Sequence, residues 1–89
     1  MDKLYVYVFR TISDDPDGSS WIEEWRGLYR SEGPAVAAAR AWMELTLADW
    51  DDPDASVKEV TVDDKFILSM LDYQGDWKHK AIVERTEVL

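Results

Sequence analysis

The sequence contains no cysteine and a single histidine, His79. The first absence excludes a disulfide framework, a thiol nucleophile and a thiolate metal site, and the second excludes a histidine cluster. Glycine (4) and proline (3) are scarce, which separates the chain from linker-like and low-complexity segments. Bases are outnumbered: 10 Lys plus Arg stand against 19 Asp plus Glu, a formal charge of −9. Direct binding to nucleic acid or to an anionic membrane would therefore work against net repulsion. No uninterrupted apolar stretch approaches the roughly 20 residues that span a bilayer as a helix. Met1-Asp2-Lys3 leads straight into an alternating pattern, without the basic, apolar and small-residue regions of a secretory signal. The expected compartment is a cytoplasm.

What is present suits one small folded domain. The 89 residues are 46% hydrophobic and 12% aromatic, enough for one core and too short for two. Leu4 to Ile12 reads as a strand: Leu4, Val6, Val8 and Ile12 share one parity, and Tyr5, Tyr7 and Phe9 the other. Asp14-Asp15-Pro16-Asp17-Gly18-Ser19 is turn chemistry and predicts a hairpin. Ser20 to Arg30 fits two patterns. As a helix it has a Ser20–Glu23 capping box and a stripe through Trp21, Ile22, Trp25, Leu28 and Tyr29. As a strand it puts Trp21, Trp25 and Tyr29 on one side and Ile22 and Leu28 on the other. The strand is preferred, because Gly27 weakens a strand less than a helix interior and the preceding turn supplies the hairpin.

Ser31-Glu32-Gly33-Pro34 signals a helix start, and Ala35 to Trp50 continues without Gly or Pro. Val36, Ala39, Met43 and Leu47 are its expected buried stripe, flanked by Trp42 and Trp50. Pro53 in Asp51-Asp52-Pro53-Asp54 sets the end near Asp51. Val57 to Val62 reads as a short strand. Lys65 to Tyr73 fits a strand or a short helix through Phe66, Ile67, Met70 and Leu71, with the strand preferred. Gln74-Gly75-Asp76 then turns the chain into a last strand from Trp77 to Val88. The expected fold is α+β: one helix packed on an antiparallel sheet of four or five strands, in the order β-β-α-β-β-β.

The acidity is concentrated. Residues 1–43 sum to −2 and residues 65–89 to zero, whereas residues 44–64 hold eight acids against Lys58 alone and sum to −7. Asp49, Asp51 and Asp52 sit where a helix presents its negative pole, which works against local stability. Asp49, Asp51, Asp52, Asp54, Glu59, Asp63 and Asp64 are the candidate partner-binding residues, able to focus a negative potential on a basic surface. Solvated acidic loops that keep the chain soluble account for the same residues. The aromatics are the second lead, because they exceed what one helix against one sheet face buries. Trp21, Trp25, Tyr29 and Trp77 are the candidate aromatic interface. The alternative is a second small core under long stems such as Arg10, Arg26 and Arg30.

Templates for chemistry fit poorly. Ser13, Asp15, Asp17, Gly18 and Glu24 follow the spacing of a calcium loop, but a serine holds the first position and a hairpin turn explains the same residues. His79, between Lys78 and Lys80, is expected to share its face with Trp77 and Ala81. It has no sequence-local carboxylate to orient it as a base. There is no phosphate loop, nucleophile elbow or zinc signature. No metal, cofactor or enzymatic activity is expected.

A strand pair, the Ser31-Glu32-Gly33-Pro34 turn, the alanine-rich helix Ala35-Val36-Ala37-Ala38-Ala39-Arg40-Ala41 and further short strands in a compact acidic chain resemble the small phage-encoded anti-CRISPR proteins. The resemblance lies in the general plan and in the segment from about Arg26 to Met43. It implies a non-catalytic DNA mimic in a bacterial cytoplasm, whose acidic residues occupy basic surface that a CRISPR effector complex uses for DNA. The expected function is thus an inhibitor docking on a basic protein or ribonucleoprotein complex. The alternative is an assembly module, such as a homodimer, that pairs through its aromatic sheet face or an edge strand.

Overall fold

A computed structural model describes residues 3–14 and 20–88. Its elements are β1 (Leu4–Asp14), β2 (Trp21–Tyr29), α1 (Glu32–Asp49), β3 (Ser56–Val62), β4 (Lys65–Leu71) and β5 (Trp77–Val88). The five strands form one antiparallel sheet in the order β2-β1-β5-β4-β3, and α1 lies on one face of it. Both ambiguous segments are strands, and the expected α+β plan is the observed one. The turn residues Asp15–Ser19, and with them the calcium-loop spacing, lie outside the described residues. Among the described residues no helix is long and apolar enough to cross a membrane.

The longest strands, β1 and β5, are rich in β-branched and aromatic residues and hold the centre of the sheet. Helix α1 carries the chain from one sheet edge, β2, to the other, β3. The core lies between helix and sheet: Phe9, Leu68, Met70, Ala81 and Val83 from the strands meet Ala35, Ala39 and Met43 from α1. Tyr7, Tyr29, Trp42, Leu47, Trp50 and Phe66 close its rim. The expected stripe is shifted at its start, where Ala35 is buried and Val36 is only half-buried. Alanines every fourth residue let the helix backbone approach the sheet, whose aromatic side chains fill the space.

The two parities of β1 are those the sequence predicts, and the one with Tyr7 and Phe9 faces the helix. In β2 the parity breaks. Phe9 pairs with Gly27 but Arg10 with Trp25, so Arg26 is an extra residue, a β-bulge. One inserted residue exchanges the faces of everything beyond it. Trp21, Trp25 and Leu28 therefore face outward, while Tyr29 faces the helix. The expected grouping of Tyr29 with Trp21 and Trp25, and of Leu28 with Ile22, is corrected accordingly. Arg26 also turns inward: its Nε donates to the Thr11 hydroxyl at 3.0 Å, and its guanidinium lies 5.5 Å from the Trp42 ring centre. It caps the core on the helix side and does not cover the outer face.

A second irregularity lies between β4 and β5, where Met70 pairs with His79 but Leu71 with Trp77. It separates Trp77 from the face of His79 and Ala81, contrary to expectation. Strand β3 is the least embedded element, with only Val60 less than exposed. A cleft of about 210 Å³ separates it from α1, lined by Met43, Leu47, Val57 and Leu68 among others.

Candidate functional site

The carboxyl end of α1 and the β4–β5 turn are built to meet. In the turn, the Asp72 carboxylate accepts hydrogen bonds from the backbone N–H groups of Gln74 (2.8 Å) and Asp76 (3.0 Å), and Gly75 adopts φ +84°. This is an Asx-type turn with glycine at the position that requires positive φ. In the loop after α1, the Asp52 carboxylate accepts from the Asp54 N–H at 2.9 Å and from the Tyr73 N–H at 3.1 Å. The second bond ties the two loops together across 21 residues of sequence.

The result is an open groove walled by Trp50, Pro53 and Tyr73 and lined by Asp49, Asp51, Asp52 and Asp72. Asp54 and Asp76 flank it on the same loops. Tyr73 is exposed. Lys78 is the cation of this corner, and it is shared between Asp72 at 3.8 Å and Asp14 at 3.4 Å. Among the described residues no ion pair involves Asp49, Asp51 or Asp54. The last turn of α1 contains no basic residue to oppose its negative pole.

The seven acids expected to form one patch are divided. Asp49, Asp51, Asp52 and Asp54 share the corner just described. Asp63 and Asp64 form the two-residue β3–β4 turn at the opposite end of β3, roughly 20 Å away at the usual rise per residue. Asp63 takes φ 53°, a conformation aspartate tolerates. Asp64 is held by Arg85 at 2.8 Å, and Glu59 is paired with Arg40 of the helix. In exchange the fold adds Asp72, which the sequence places in the Lys65 to Tyr73 segment, and Asp76, which it places in the following turn. Their distance from residues 49–54 along the chain hides their proximity in space.

The four candidate interface aromatics are also divided. Trp21 and Trp25 lie on the outer sheet face. Trp77 lines a shallow depression with Trp21, and the Lys80 ammonium stands 4.7 Å from its ring centre. Tyr29 belongs to the rim of the core. His79 is inside: its ring lies edge-on to Trp42 (6.0 Å) and Trp50 (5.5 Å). Burial pushes its imidazole below the ordinary value of 6.5, with the nearby Asp14 charge pulling the other way. Among the described residues no group of three or more His, Asp or Glu side chains is arranged to hold a metal ion.

No family model matches the chain, and no curated protein or solved structure matches it.

Proposed function

We propose that this protein is a non-catalytic acidic binding module. It docks the corner formed by the carboxyl end of α1 and the β4–β5 turn on a basic, nucleic-acid-binding protein and blocks access of nucleic acid. The observation that carries this reading is the set of exposed carboxylates of Asp49, Asp51 and Asp54, in or just beyond the last turn of α1, which form no ion pair among the described residues. Such charges oppose the helix dipole and find no local compensation, which an opposing cationic surface would supply. Exposed Tyr73 beside them adds a large apolar contact with a polar tip, the usual make-up of an interface anchor. His79 supports binding over catalysis, because its ring is spent in packing. The CRISPR effector complex, as one partner of this class, rests on the sequence resemblance alone.

The test is affinity capture from a bacterial lysate containing CRISPR effectors, followed by DNA-binding assays on the captured protein. The expected result is displacement of labelled DNA by the acidic protein, with an affinity that falls steeply with salt. Combined Asp49→Asn, Asp51→Asn and Asp54→Asn should weaken displacement and flatten the salt dependence. Unchanged affinity and salt slope in that variant overturn the assignment of this corner.

A further inference from the structure

The helix covers one face of the sheet and leaves the other open. Strand register places Leu4, Trp21, Trp25, Leu28 and Val88 on that outer face, and all five are exposed, Trp25 and Leu4 each at 70%. A tryptophan side chain carries on the order of 200 Å², so Trp21 and Trp25 together present about 300 Å² of it to solvent. With the three aliphatic residues the open apolar area is roughly 600 Å², at the top of what soluble monomers leave exposed. Beneath them Val8 and Ile82 are already 8% and 6% exposed, so the face is a second core built on one side only.

The charge of this face is unlike the rest of the molecule. Register brings Arg10, Lys58, Lys65 and Lys80 outward with Glu23 and Glu84. Arg10 lies between the two acids, 2.7 Å from Glu23 and 4.0 Å from Glu84, and Lys65 reaches Glu84 at 3.4 Å. In a chain of charge −9, two copies approaching by other surfaces oppose like charges. On this face bases and acids are interspersed and paired within one copy, so a second copy meets little net charge there.

We infer that the outer face is a dimerisation surface, on which a second copy of this chain packs sheet against sheet over the β2–β1 half. An isologous interface sets the same apolar patch of each copy against the other. The apolar area, with the half-buried Val6 and Ile12 between its parts, is on the scale of the roughly 800 Å² per partner of a standard interface. Aligned sheet packing places two such faces about 10 Å apart, which the two indoles can fill. The two surfaces border each other at Trp21, which lines a depression with Asp76 and Lys78, and substitutions at Trp25 and Leu28 on one side and at Asp51 and Asp54 on the other let the two readings fail independently.

Sedimentation equilibrium of the full chain over a dilution series tests the inference. The expected mass at high concentration is twice the 10.3 kDa of one chain. Trp25→Glu and Leu28→Glu should each weaken association at least tenfold, while Asp51→Asn with Asp54→Asn should leave it unchanged. A cysteine introduced by Leu28→Cys into this cysteine-free chain should form a cross-linked dimer far faster than one introduced by Asp51→Cys. That readout remains where a glutamate variant fails to fold. A wild-type chain that stays monomeric throughout, or a dimer that survives Trp25→Glu and Leu28→Glu, overturns the inference. Capture of a different protein by the same face in place of a second copy overturns it as well.

Discussion

The Nδ1 atom of His79 lies 2.9 Å from the hydroxyl oxygen of Ser13, its cross-strand partner on β1. The same imidazole stands edge-on to Trp42 and Trp50, where burial favours its neutral form and lowers its pKa from 6.5. A base whose folded pKa is depressed binds fewer protons folded than unfolded in the window below 6.5. Its contribution is therefore fully present above 6.5 and is lost as pH falls through the folded value. Urea midpoints measured at pH 8 and pH 5 should differ more for the wild type than for His79→Gln. An equal difference in the two proteins contradicts the packing described for this ring.

Met70 is fully buried under α1. Met70→Ala should lower stability by about 2–5 kcal/mol through lost transfer and the cavity left behind. Leu45, 70% exposed on the helix, should give a change of about 0.5 kcal/mol or less when replaced by alanine. Denaturant unfolding of both variants checks the contrast.

At Gly27 an added Cβ would meet the Tyr29 ring at 2.9 Å, at its Cε2 atom. The ring lies over the glycine in place of a side chain. Gly27→Ala should displace Tyr29 from the rim of the core at a cost of about 1–3 kcal/mol. A changed ring-current shift of the residue-27 Hα resonance, together with a lower thermal midpoint, is the expected outcome.

Asp49 stands in the last turn of α1 against the helix dipole. Asp49→Lys should raise stability by about 0.3–1 kcal/mol and at the same time weaken docking on a basic partner. A variant that gains stability and keeps full binding separates the acidic corner from function.

The fold was legible because its signals were local and repeated. The alternation of Tyr5, Tyr7 and Phe9 against Leu4, Val6 and Val8 survives intact in β1. Pro53 and the Gly75 turn fall at the element ends they predict. Tyr29 was misplaced because Arg26 is an inserted residue, and alternation read along one strand cannot reveal where its partner strand slips. Trp77 and His79 were grouped wrongly for the same reason at the Met70–Leu71 shift. The acidic corner was half visible: Asp49 to Asp54 stand out by density. Asp72 and Asp76 join only because the Asp52 carboxylate binds the Tyr73 N–H, a contact with no sequence signature. Asp63 and Asp64, near in sequence, are carried away by the length of β3.

Strand β3 has β4 as its one sheet neighbour, an open cleft toward α1, and the Arg40–Glu59 ion pair as a link to the helix. It is therefore the first part of the sheet to peel. Its amide protons should exchange with solvent through local opening, at a free energy well below that of global unfolding, whereas those of β1 and β5 should wait for the whole domain to open. The loop that carries Asp51 and Asp52 is fastened elsewhere, to the β4–β5 turn. The acidic corner should thus keep its shape when the strand next to it in sequence opens.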